Sequence, residues 1–217
     1  MRYFLDMNLP IYFCMQLGNF LEKKAKIFVE NKKEHLFLLC DYVTSVNLPK
    51  WIKRQKAILF EFNQKVQNID YALFSSEQSK ILFLQDKILT NRLILSYEKT
   101  KEKKQFIENI NQIFSLLQAR ISYFIKKYID TIVIPISEIN FELKSCLFTW
   151  LDAPNDSDAK TIASAIQEHN HNKLIIITSD KRDWTKELLE EVHNNSKLKK
   201  EYPSLPRIEY LQDYRVS

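Results

Sequence analysis

Three aspartates, spread over almost the whole chain, stand where a buried strand or a helix start would put them. Asp6 ends the apolar run Arg2-Tyr3-Phe4-Leu5, with Asn8 two residues on. Asp180 ends Leu174-Ile175-Ile176-Ile177-Thr178-Ser179, and Asp158 opens the stretch Asp158-Ala159-Lys160-Thr161-Ile162-Ala163-Ser164-Ala165. In an open α/β sheet, ligands bind outside the carboxyl ends of the strands. Carboxylates gathered there repel one another unless a cation lies between them. The chemistry this could support is metal-assisted hydrolysis of a phosphodiester, because a bound cation activates water and offsets charge building on phosphate.

Bringing those residues together requires strands joined by helices. Tyr3 to Leu5 reads as a short buried strand, and Asn8-Leu9-Pro10 leads into a helix over roughly Ile11 to Glu30, with Pro10 tolerated in its first turn. His35 to Val43 suits either a second strand or a helix start. Strands return at Thr131–Ile136, Leu174–Thr178 and Arg207–Leu211. Helices are expected over about Asn140–Trp150, from Asp158 onward after the polar loop Asp152–Ser157, and over about Thr185–Asn194. Strands alternating with helices at both ends predict an α/β fold with a parallel sheet.

The middle of the chain is different. From Leu48 to about Tyr128 only helical patterning is found, with Phe106, Ile110, Ile113, Leu117, Ile121 and Phe124 on one stripe. Ile81–Leu95 reads as a buried partner helix, and Lys99–Lys104 as the basic turn between the two. The expectation is one domain over residues 1–217 that carries a helical insertion at roughly 48–128.

Composition narrows the classes. The chain has 217 residues, 45% hydrophobic and 12% aromatic, so it can bury a core and is too apolar to be disordered. Gly18 is the sole glycine, which excludes the Gly-rich phosphate loops of P-loop and Rossmann proteins. Cys14, Cys40 and Cys146 are odd in number and far apart, as expected of reduced core thiols in a cytoplasmic protein. A net charge of +5 is compatible with a nucleic-acid partner. There is no apolar run long enough to span a membrane and no signal-peptide pattern at the start.

The order strand–Asp–x–Asn, then Asp-Ala-x-x-Ile-Ala-x-Ala, then strand–Thr–x–Asp–x–x–Asp–aromatic resembles the PIN domain family of nucleases. The matching residues are Asp6 and Asn8, Asp158 through Ala165, and Thr178, Asp180, Asp183 and Trp184. Thr131–Ile139 is similar to the strand and helix start that precede the family's third acidic residue. The resemblance covers the two ends of the chain and implies a three-layer α/β/α core. It further implies a cytoplasmic Mg²⁺- or Mn²⁺-dependent endoribonuclease acting on single-stranded or structured RNA, with a homodimer or an antitoxin-like protein as further partners. Asp6, Asp158 and Asp180 would be the catalytic, metal-holding acids, with Asp158 bound directly or through water. Asn8, Asn47, Thr178, Ser179 and Asp183 would surround and orient them by hydrogen bonds.

One position departs from the pattern. Where the family usually has a glutamate, after the second strand, this chain has Asn47. A neutral amide oxygen holds a cation less tightly than a carboxylate. Asp41 and Glu61 are acids that could substitute. The departure supports an alternative, a catalytically weak or inactive PIN-like module that binds RNA or protein. Lys50, Lys53, Arg54 and Lys56 could form a nucleic-acid-binding helix face, with Trp51 either stacking on bases or buried in the core. His169 and His171 fall near a helix end, where they favour the dipole more readily than a metal.

Overall fold

The computed structural model describes residues 1–15, 17–31, 35–82, 84–151 and 155–214. The chain divides into two compact units, Met1–Leu48 with Ile121–Ser217, and Pro49–Arg120. In chain order the elements begin with β1 (Arg2–Leu5), α1 (Asn8–Cys14), α2 (Phe20–Asn31) and β2 (Leu36–Cys40). A short π-helical turn (Val43–Asn47) leads into α3 (Leu48–Gln67), α4 (Leu84–Lys99), α5 (Lys103–Ser115) and α6 (Leu117–Tyr128). There follow β3 (Thr131–Val133), α7 (Phe141–Trp150), α8 (Asp156–His171), β4 (Ile175–Thr178), α9 (Lys186–Asn194), α10 (Ser196–Glu201) and β5 (Arg207–Tyr210).

The α/β unit is organised by one five-stranded sheet in the order β3-β2-β1-β4-β5, and all four pairings are parallel. Parallel strands must be covered on both faces, so they read as continuous apolar runs. That is what Tyr3-Phe4-Leu5, Phe37-Leu38-Leu39-Cys40 and Ile176-Ile177 supply, and all of these side chains are buried. The chain moves outward from β1 through β2 to β3, then crosses to the other side of β1 for β4 and β5. Because parallel crossovers are right-handed, the reversal puts α1 and α2 on one face and α9 and α10 on the other. The arrangement is consistent with three α/β/α layers. The reversal makes the carboxyl ends of β1 and β4 the switch point of the sheet, and open α/β sheets bind ligands in the crevice at such a point.

The long helix expected over Ile11–Glu30 is two helices. The break is made at Gly18, whose φ of +81° lies in the left-handed region that glycine adopts without steric cost. Asn19 and Glu22 then form a reciprocal cap on α2. The Glu22 N–H donates to Asn19 Oδ1 at 2.9 Å, while Glu22 Oε2 accepts from the N–H groups of Gly18 at 2.7 Å and Asn19 at 3.3 Å. Of His35–Val43, Leu36–Cys40 is strand β2 and Asp41–Val43 begins the helical stretch that follows. The polar loop expected at Asp152–Ser157 lies outside the described residues at 152–154, and from Asn155 it forms the cap of α8. Cys14 and Cys40 are buried and Cys146 is half-buried, all of them free thiols.

The helical unit has its own core. Phe62 is fully buried, and its ring centroid lies 6.5 Å from Phe74, 6.2 Å from Tyr97 and 6.3 Å from Phe106. Among the described residues no strand occurs between Leu48 and Tyr128, as the helical patterning predicts. No described helix is long and apolar enough to cross a membrane.

Candidate functional site

Asp6 follows β1 directly, and its backbone N–H extends the β1–β4 ladder by donating to the Ile177 carbonyl at 3.0 Å. This anchors the residue at the mouth of the crevice, with only 3% of its surface exposed. Both side-chain donors that reach it land on one oxygen. Thr178 Oγ1 and Asn8 Nδ2 each donate to Asp6 Oδ2 at 2.9 Å. Burial pushes the Asp6 carboxyl up to about 6, against the pull of the Thr178 and Asn8 donors, and the Asp180 charge adds to the rise.

Thr178, the last residue of β4, is the hinge of the arrangement. Its hydroxyl donates to Asp6 and accepts the Asp180 N–H at 3.0 Å, so one buried side chain ties the ends of β1 and β4 together. Asp180 folds its own loop, with Oδ1 accepting from the N–H groups of Arg182 at 2.9 Å and Asp183 at 3.1 Å. None of the described hydrogen bonds uses Asp180 Oδ2. Asp183 is buried and is gripped by the exposed Arg182, whose Nη2 donates to Oδ2 at 2.8 Å.

Asp158 arrives from the opposite layer, in the first turn of α8. Asn155 caps that helix, accepting the Ser157 N–H at 3.0 Å through Oδ1 and donating to Asp158 Oδ2 through Nδ2. Burial first, and then the charges of Asp6, Asp180 and Asp183, push the Asp158 carboxyl up to about 7. Four carboxylates therefore bear on one another at the end of the sheet. Among the described residues no Lys, Arg or His forms an ion pair with Asp6, Asp158 or Asp180.

Asn47, the last residue of the π turn, is buried, and its Oδ1 accepts from Ser157 Oγ at 3.0 Å. Asn47 thus meets the N-terminal turn of α8, and its amide oxygen is spent there. Asp41, at the carboxyl end of β2, is also occupied, with Oδ1 accepting from Ser45 Oγ at 2.5 Å and Oδ2 from the Ile136 N–H at 3.2 Å. Ser179 is fixed through its backbone carbonyl, which accepts from Gln212 Nε2 at 2.6 Å.

Most of the remaining expected positions belong to the helical unit, while His169 lies on α8. Lys50, Lys53 and Lys56 are exposed on α3, while Arg54 Nε donates to Asp86 Oδ2 at 2.6 Å. Trp51 is buried, which assigns its ring to the core. Glu61 is fully buried and accepts from Tyr71 Oη, the Phe74 N–H and Ser76 Oγ, so it serves as the anchor of a loop. His169 Nδ1 lies 3.1 Å from both the Leu174 carbonyl and the Leu174 N–H, and burial pushes its pKa down.

Asn155, Ser157, Arg182 and Gln212 are contributors that sequence reading did not name. Only Asn155 carried a local signal, as a helix-capping residue just ahead of an acidic turn. Among the described residues no three His, Cys, Asp or Glu side chains stand close enough to cage an ion. The donor set still has the chemistry of a hard-cation site, since it offers carboxylate oxygens with uncompensated charge. Mg²⁺ keeps several of its waters and does not need a tight protein cage.

The fold and the site define a class, an open parallel α/β sheet with aspartates beyond the carboxyl ends of β1 and β4. Compared with protein-family models, with curated proteins and with solved structures, the chain finds no match.

Proposed function

We propose that the protein is a divalent-metal-dependent endoribonuclease of PIN-like design. The observation that carries the reading is the convergence of Asp6, Asp158 and Asp180, from the two ends of the chain, on the crevice between β1 and β4. Asp6, Asp180 and Asp158 would hold Mg²⁺ or Mn²⁺. The bound cation would activate a water and offset charge on the scissile phosphate.

The chain's own residues do the positioning. Thr178 and Asn8 fix the Asp6 carboxylate, and the Thr178 hydroxyl also holds the Asp180 backbone. Asn155 aims Asp158. Purified protein incubated with mixed RNA and Mn²⁺ tests the proposal. Wild type should cleave and Asp6→Asn should not, and equal cleavage by both, or by neither, rejects it.

Asn47 favours a second reading. With its amide bound to Ser157 in place of a carboxylate facing the crevice, cation affinity would fall. The fold would then serve as a PIN-like module that binds RNA or protein with little catalysis. RNA retention without cleavage, unaffected by Mn²⁺, is the result that selects it.

A further inference from the structure

The sheet has one edge whose chemistry is complementary to itself. β5 is paired only to β4, and none of its four residues is fully buried, in contrast to β1, β2 and β4. Among the described residues its backbone makes no hydrogen bond outside the β4 pairing. An unpaired strand edge is a template for another strand.

Two cavities flank this edge. One, of about 350 Å³, is lined by Phe28, Ile177, Tyr210 and Tyr214 on the α2 face. The other, of about 360 Å³, is lined by Leu189, Leu205, Pro206 and Ile208 on the α9 face. Added strands engage their hosts in this way, through main-chain hydrogen bonds at the edge and side chains that alternate into pockets above and below.

The sequence of the edge selects the partner. Alternation puts Arg207 and Glu209 on one face of the strand, where they pair with each other, and Ile208 and Tyr210 on the other. If a second β5 is laid antiparallel across the first with Ile208 opposite Ile208, Arg207 of each copy stands opposite Glu209 of the other. The two ion pairs become a closed network of four charges. A neutral strand gains nothing from this mixed pair, and a single-sign strand gains at one position what it loses at the other, so the edge favours its own copy. Pro206, which has no N–H to donate, ends the pairing at the start of the strand.

We infer that two copies of this chain associate through antiparallel β5 edges, forming one continuous sheet with the crevices of Asp6, Asp158 and Asp180 at opposite ends of the pair. The inference stands on the edge alone and is independent of the nuclease reading.

Analytical ultracentrifugation of the full chain, over concentrations up to the order of 100 µM expected for so small an interface, tests it. Wild type should show a concentration-dependent dimer. Arg207→Glu and Glu209→Arg should each be monomeric, because like charges then face each other twice. An equimolar mixture of these two variants should restore the dimer, as should the double exchange within one chain. Rescue by mixing excludes misfolding as the cause of the loss. A wild type that stays monomeric, or single variants that dimerise as well as wild type does, overturns the proposal.

Discussion

Asp6→Asn should make the metal-free protein more stable at alkaline pH. Asp6 ordinarily titrates near 3.8 and is pushed up to about 6 in the fold. Between those values the folded state holds a proton that the unfolded chain has released, so stability falls as pH rises through this window and stays low above it. A rise of about two pH units is worth about 3 kcal/mol at 1.36 kcal/mol per unit. The substitution removes that penalty. Because Thr178 and Asn8 both donate to Oδ2, a single amide oxygen can keep both bonds. What is lost is the charged character of the acceptor in those two bonds, worth about 1 kcal/mol. The net gain is about 2 kcal/mol above pH 7, or roughly 4–8 °C in Tm for a chain of this size. At about pH 4, where wild-type Asp6 is itself protonated, the gain should vanish. Thermal melts followed by circular dichroism in EDTA across this pH range measure the effect. Excess Mn²⁺ should then reverse the ranking, stabilising wild type and leaving Asp6→Asn unmoved. A variant less stable than wild type at high pH, or one offset from it by the same amount at every pH, would refute the reasoning.

Three further outcomes are expected. Asn47→Glu should tighten Mn²⁺ binding about tenfold by calorimetric titration, since it adds a charged oxygen beside α8, and unchanged affinity would mean that this position does not face the cation. Glu61→Ala should cost about 3 kcal/mol in chemical denaturation, because it leaves three donors unmatched, and should expose residues 68–76 to proteolysis. Gly18→Ala meets no atom within 4 Å of its new Cβ, so its cost of about 1 kcal/mol comes from the left-handed backbone alone, and a melt unchanged from wild type would contradict this.

The buried strands were legible because burial on both faces demands uninterrupted apolar runs, and Tyr3–Leu5 and Leu174–Thr178 carry that signal locally, while Arg207–Leu211 shows the alternation of an edge strand. Parallel topology followed from their alternation with helices. The break at Gly18 was missed because the apolar pattern runs on across it, while the capping partners Asn19 and Glu22 sit among residues that also suit a helix interior. Asp6, Asp158 and Asp180 were legible as strand-end and helix-start acids. Their supports were not. Ser157 and Asn47 are 110 positions apart, and Thr178 and Asp6 are 172 apart, so only the completed sheet makes them neighbours. Trp184 was readable as a packing residue, and it is buried. The occupied state of Asp41 likewise depends on the Ile136 N–H, which arrives 95 residues later.

The central claim is that distant aspartates share a cation at the switch point of the sheet. A crystal soaked in Mn²⁺ and measured for anomalous scattering tests it most directly. The account predicts a peak in the crevice between the ends of β1 and β4, coordinated by Asp6 and Asp180 and reached by Asp158 directly or through water. Density elsewhere, or a crevice without metal at saturating Mn²⁺, contradicts it.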